Sequence, residues 1–171
     1  NVNTLLYYLG NATKITLPAD YKGENYTIGA DAFKGNATIT SVVISNSVTS
    51  IGSSAFEDCT GLTSVTIPNS VTSIGYMAFS GCTGLTSVYV TDIAKWCSIS
   101  FDGYYKQSNP LYYAKNLYVN GKLVTELKIP DSATKIAYYA FHNFSGLTSV
   151  IIGNGVTTID KHAFSFCDNL T

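Results

Sequence analysis

Leu62-Thr63-Ser64-Val65-Thr66-Ile67-Pro68 opens a stretch that continues through Val71, Ile74-Gly75 and Ala78-Phe79 to Cys82. The same residue types return 23 positions earlier as Val42, Ile44, Val48, Ile51-Gly52, Ala55-Phe56 and Cys59. They return again after Leu147 as Val150, Ile152, Val156, Ile159, Ala163-Phe164 and Cys167. A fixed period of this size is the signature of a solenoid, because one such unit can bury its apolar face only against its neighbours. Solenoids serve as recognition surfaces or spacers far more readily than as catalytic pockets.

Working outward, repeats start at Ala12, Ile39, Leu62, Leu85, Val124, Leu147 and Leu170. Residues 1–171 therefore read as one domain of about six stacked coils, mostly β with short helical turns. The first interval carries extra residues within Asp20-Tyr21-Lys22-Gly23-Glu24-Asn25, a polar loop, and loops absorb length at low entropic cost. The Leu85 interval is 39 residues long, an enlarged variant repeat over 85–123. Residues 1–11, with Leu5-Leu6-Tyr7-Tyr8-Leu9, read as an N-terminal cap or the remnant of a preceding strand. Residues 170–171 read as the start of a truncated repeat, so the chain is expected to be a mature or trimmed piece of a longer protein.

Alternation along Ser64-Val65-Thr66-Ile67 points Val65 and Ile67 inward and the hydroxyls outward. Pro68, which lacks an N–H, ends the ladder. Strands are expected at Val42–Ile44, Val65–Ile67, Val88–Val90, Leu127–Ile129 and Val150–Ile152. Val71–Ile74 suggests a second short strand, Gly75 a bend, and Tyr76–Ser80 a helical turn that drops Phe79 inward. Two core ladders follow: Val42, Val65, Val88, Leu127, Val150, and Phe33, Phe56, Phe79, Phe141, Phe164. Each such buried side chain is worth about 1.5–3 kcal/mol. Asn120-Gly121 should form a two-residue hairpin turn, since both residues tolerate positive φ.

Charge excludes several functions. Only 12% of residues are charged, the formal net charge is −1, and no basic run exists, so nothing points to nucleic acid. No apolar run is long enough to span a membrane. No paired carboxylates, nucleophile elbow, phosphate loop or Cys-x-x-Cys motif is present, so no catalytic, cofactor or metal residue is assigned.

Cys59, Cys82 and Cys167 each follow the ladder Phe by three positions. A bridge or metal site competes there with a small buried residue in a ladder. Side chains stacked in register run parallel rather than toward one another, which favours four free thiols. His142 and His162 are expected as surface-loop histidines. Asn11, Asn25, Asn36 and Asn143 begin Asn-x-Ser/Thr triplets, which matter only in a eukaryotic source.

The residues from Leu62 to Cys82 resemble the BspA-like, or treponemal-type, leucine-rich repeat family. Its pattern, Leu-x-x-Ile-x-Ile-Pro-x-x-Val-x-x-Ile-Gly-x-x-Ala-Phe-x-x-Cys, recurs over about residues 12–171. The insert, with Asp92-Ile93-Ala94-Lys95-Trp96-Cys97 and Asn109-Pro110-Leu111-Tyr112-Tyr113, is similar to a variant repeat of such arrays. The resemblance implies an extracellular or cell-surface protein of a bacterium or protist, commonly host-associated. It also implies adhesion to a host matrix or cell-surface protein and brings no catalytic or cofactor residue.

The insert crowds Tyr89, Trp96, Phe101, Tyr104, Tyr105, Tyr112, Tyr113 and Tyr118 into one repeat. Trp96, Phe101 and Tyr118 suit a local mini-core. The loop at Tyr104-Tyr105 suits a core or a contact surface equally. Outward strand positions are mostly small and uncharged, and Tyr89, Glu126 and Lys128 form their one bulky polar group. A partner is therefore expected to centre on Tyr89, Tyr104, Tyr105, Glu126 and Lys128. The primary reading is a non-enzymatic module that recognises a protein. A stalk that presents another domain, and carbohydrate binding through the insert tyrosines, are the alternatives.

Overall fold

The computed structural model describes residues 3–102 and 106–171. In chain order the strands are β1 (Asn3–Leu5), β2 (Lys14–Thr16), β3 (Tyr26–Ile28), β4 (Ser41–Val43), β5 (Val48–Ile51), β6 (Ser64–Thr66), β7 (Ser73–Ile74) and β8 (Ser87–Val90). Helix α1 (Ile93–Ser98), β9 (Ser100–Phe101), a 3-10 turn at Lys106–Ser108, helix α2 (Leu111–Ala114) and the pair β10 (Leu117–Val119) and β11 (Lys122–Leu123) make up the insert. Then come β12 (Glu126–Ile129), β13 (Lys135–Ile136), β14 (Ser149–Ile152) and β15 (Thr158–Ile159).

The coils stack as a parallel solenoid with two sheets. The front sheet runs β2-β4-β6-β8-β10-β11 and the back sheet β1-β3-β5-β7-β9. Register is strict: Ser41, Ser64 and Ser87 align, as do Val42, Val65 and Val88. The strands begin one residue before the expected bounds, and the Ile44 and Ile67 N–H groups still bond onward to the carbonyls of Thr66 and Tyr89. Between the sheets the apolar residues form one continuous core. Phe33, Phe56 and Phe79 stack at 4.9 and 5.1 Å, and Tyr8 extends the column onto Phe33 at 5.3 Å.

The turn beyond Gly75 is not a helix. Ala78 and Ser80 bond three residues back, while Phe56 bonds onward to Ala78 of the next coil. Left-handed residues interrupt each turn before it can lengthen: Asp31, Ser54, Met77, Tyr139 and His162 at one position, and Gly35, Asp58, Gly81, Asn143 and Phe166 four residues later. Gly75 serves close packing rather than bending, since a Cβ there would lie 2.6 Å from the Ser53 amide nitrogen.

The insert changes the architecture. Leu117, not Leu127, follows Val88 in register, because β10 pairs with β8. The insert thus adds a front strand of its own, which gives seven parallel front strands among the described residues where about six coils are expected. Asn120 (φ 50°) and Gly121 (φ 76°) then turn the chain into antiparallel β11, as their sequence predicts. This hairpin ends the front sheet, and β12 and β14 form a separate two-stranded sheet. On the back, α1 starts at Asp92, whose carboxylate accepts from the Ala94 and Lys95 N–H groups. The Ala137 N–H beside β13 bonds to the Cys97 carbonyl of α1, so a helix stands between the two back sheets.

The missing strand pairing at this joint is replaced by buried polar side chains. Trp96 Nε1 donates to the Ala140 carbonyl at 2.9 Å, and the Asn109 amide donates to the same oxygen at 3.1 Å and to Tyr139 at 2.8 Å. The Asn109 carbonyl in turn accepts from Leu111 N–H. Trp96 and Phe101 are buried edge to face at 5.5 Å, which makes them the core of the insert, as expected.

Candidate functional site

The strands present one outward side chain per coil at each register position, so the front face is a lattice. Across β4, β6 and β8 it carries Ser41, Ser64 and Ser87 in one row and Val43, Thr66 and Tyr89 in the next. The hydroxyl rows are locked by bonds between coils: Ser64 to Ser41 at 3.1 Å, and Thr63 and Thr86 to the carbonyls 23 residues before them. A shallow groove of about 590 Å³ runs along the exit end of these strands, lined by Thr16, Val43, Thr66, Pro68, Asn69 and Thr91. Thr91 closes it by donating to Asn69 Oδ1 at 2.9 Å.

Of the expected contact residues, Tyr89 stands half-buried on β8, opposite Thr66 in register. Its ring stacks on Tyr118 at 4.7 Å and 19°. Tyr118 is therefore a front-face residue rather than part of the mini-core, because β10 occupies the position next to β8. Glu126 and Lys128 are exposed on β12, beside Ser149 and Ile151 of β14. Tyr89 thus meets Tyr118 as its neighbour, and the Glu126–Lys128 pair lies in the second sheet rather than on the coil next to Tyr89. Tyr104 and Tyr105 lie outside the described residues.

Electrostatics on this face is weak. The described ion pairs both involve Lys34, at 3.0 Å from Glu57 and 3.6 Å from Asp31, on the turn side. A hydrogen bond from Ser54 and then the Lys34 ammonium hold the Glu57 carboxyl below its ordinary range. All four cysteines are free and buried. Burial pushes Cys59 up to about 11 and Cys97 up to about 12. The thiols of Cys59, Cys82 and Cys167 donate to the carbonyls of Phe33, Phe56 and Phe141. Among the described residues no three His, Cys, Asp or Glu side chains converge as a metal site, and no helix is long and apolar enough to cross a membrane.

Sequence reasoning placed His142 on the surface, and the structure corrects this. His142 is 2% exposed, packed against Tyr112, Tyr139 and Phe166. Burial, with Lys106 and His162 nearby, pushes its imidazole down to about 4. The ring cluster that encloses it draws on three separate turns, which no local sequence signal reveals.

Comparison with known proteins agrees with this architecture. The model of the BspA type leucine rich repeat region matches residues 3–109 and 112–171 in six copies. The crystal structure of a leucine rich cell surface protein from Faecalibacterium prausnitzii is similar at a TM-score of 0.54 and 29% identity, over 98% of this chain and 48% of that one. The chain thus spans about half the length of that protein. The Treponema pallidum leucine rich repeat protein shares the fold at a TM-score of 0.56 and 20% identity, over 97% of this chain and 81% of that one. No curated protein matches the chain. With both stretches of the family pattern accounted for by stacked coils in register, this chain belongs to the BspA-type leucine-rich repeat family.

Proposed function

We propose that this chain is a non-enzymatic recognition module, displayed at the cell surface or secreted, that holds a protein partner against its front face. The observation that carries the reading is the stacked Tyr89–Tyr118 pair, set beside a groove that crosses successive coils. Aromatic rings with polar tips dominate protein interfaces, and a stiff backbone lattice holds them without further loss of entropy on binding. The small, uncharged outward residues offer little steering, so affinity depends on a partner long enough to engage several coils. Glu126 and Lys128 on β12, and Tyr104 and Tyr105 in the insert, extend the contact from that centre. The cell-surface designation of the Faecalibacterium protein supports the proposed location.

The reading is tested by surface binding of the chain to a panel of soluble host matrix proteins. Alanine at Tyr89, Tyr118, Glu126 and Lys128 is expected to weaken a positive interaction at least tenfold, about 1.4 kcal/mol, without loss of stability. If binding survives those changes but is lost on substituting Thr72 of the back face, the front-face reading is wrong.

A further inference from the structure

The left-handed turn positions carry different residues in the two halves of the solenoid. In the first half they hold Asp31, Ser54, Met77, Gly35, Asp58 and Gly81, and in the second half Tyr139, His162, Asn143 and Phe166, all with positive φ. Glycine, short polar residues and histidine adopt this conformation at lower cost, whereas the Tyr139 and Phe166 rings are strained in it. Apart from Met77, the chain uses the cheaper residues at the same positions earlier, and no ring occurs there, so the fold does not require rings here. Strain that the fold does not need points to a use for the rings.

The rings converge on one patch. Tyr139 stacks on His162 at 5.4 Å and meets His142 edge-on at 5.1 Å. Phe166 meets His142 edge-on at 5.2 Å and is 62% exposed. Tyr112 stacks on the other side of this group, 5.9 Å from His142. Lys106 Nζ is held among them, 5.3 Å from the Tyr112 ring centre and 5.9 Å from that of Phe166. No carboxylate pairs with Lys106 or His162 among the described residues. Behind the exposed Phe166, His142 Nδ1 is buried without a hydrogen-bond partner among the described residues.

We propose that this turn edge binds a carboxylated sugar, whose C–H face stacks on Phe166 and whose carboxylate pairs with the Lys106 ammonium. The exposed Phe166 and His162 rings, with the half-buried Tyr112 and Tyr139 beside them, match the alternating C–H and O–H pattern of a pyranose. The unpaired ammonium at the patch supplies the charge complement, since a carboxylate partner forms a charge-assisted hydrogen bond. An acidic peptide shares the charge but does not use the flat ring faces in this way. The patch occupies the turns, apart from the front lattice, so the two surfaces can be tested separately.

The test is calorimetric titration of the 171-residue chain with 3′-sialyllactose, a glucuronic-acid disaccharide, neutral lactose and a glutamate-rich hexapeptide. Saturable binding of either acidic sugar, at least tenfold tighter than lactose and the peptide, is expected. Lys106→Gln should remove that preference. Phe166→Asn should weaken acidic-sugar binding at least tenfold with a denaturation midpoint that is unchanged or higher, because Asn accepts the left-handed conformation. Failure of both acidic sugars to bind at about 10 mM, a weak regime even for single sugars, overturns the proposal. Equal binding of lactose, tighter binding of the peptide, or unaltered binding by both variants overturns it as well.

Discussion

Trp96 and Ala140, separated by 44 residues, are joined by a 2.9 Å hydrogen bond from the indole N–H to the backbone carbonyl. The bond spans the place where both sheets are interrupted, by α1 on the back and by the β10–β11 hairpin on the front. Asn109 shares the acceptor and adds the Tyr139 carbonyl. Two buried side chains thus do at this joint what a strand ladder does between ordinary coils.

Trp96→Phe keeps most of the ring and leaves Ala140 its bond from Asn109, so it should cost about 0.5–1.5 kcal/mol. Asn109→Ala strands the Leu111 N–H and the Tyr139 carbonyl in a buried site and should cost more, about 1–3 kcal/mol. Urea denaturation of both variants measures the order. The joint is misread if Asn109→Ala proves the milder change.

Phe79→Ala should cost about 3–5 kcal/mol, since the ring is fully buried in the aromatic column. Phe164 stacks on Phe141 at 5.3 Å but is only partly buried, so Phe164→Ala should cost clearly less. Equal losses in chemical denaturation would contradict the packing described here.

Stability should fall in mild acid because of His142. Its imidazole is pushed down to about 4, whereas an unfolded histidine titrates near 6.5. Between those values the unfolded chain binds a proton that the folded chain refuses, so stability drops as pH falls through this window and the effect levels off below it. The full loss should be on the order of 3 kcal/mol. His142→Leu should flatten the slope between pH 6.5 and 4 relative to the parent chain. An identical slope would show that carboxylates, not this histidine, govern acid sensitivity.

The thiols should be inert until the chain unfolds. With Cys59 raised to about 11, Cys97 to about 12, and Cys82 and Cys167 also raised by burial, almost no thiolate exists at pH 8. A disulfide-exchange reagent should label none in the folded state and four per chain in denaturant without reductant. Fewer than four under denaturing conditions would reveal a bridge.

The coil period, the inward Val and Phe columns and the Asn120-Gly121 hairpin were legible because each depends on local residue type repeated at a fixed offset. Gly75 was legible as a special position but for the wrong reason, since a bend and a close approach of two coils select the same residue. The sequence alone puts Tyr118 in the mini-core and Leu127 in the column that Leu117 fills, whereas β10 takes the place next to β8. Strand-like sequence surrounds both Leu117, inside the insert, and Leu127, beyond it, and pairing with β8 selects the first of them to follow Val88. His142 looked like a surface residue because its enclosing rings come from Tyr112, Tyr139 and Phe166, each outward in its own turn.

By itself, the sequence determined the repeating unit, its parallel stacking and the burial of the ladder cysteines, since every coil faces a near-copy of itself and periodic burial has one solution. Only the tertiary structure decided what happens where the copies differ. At the insert, side chains at unlike offsets compete for the same space. The outcome there is a hairpin that closes one sheet, two polar side chains that bridge the joint, and a cluster of rings gathered on one edge of the turns.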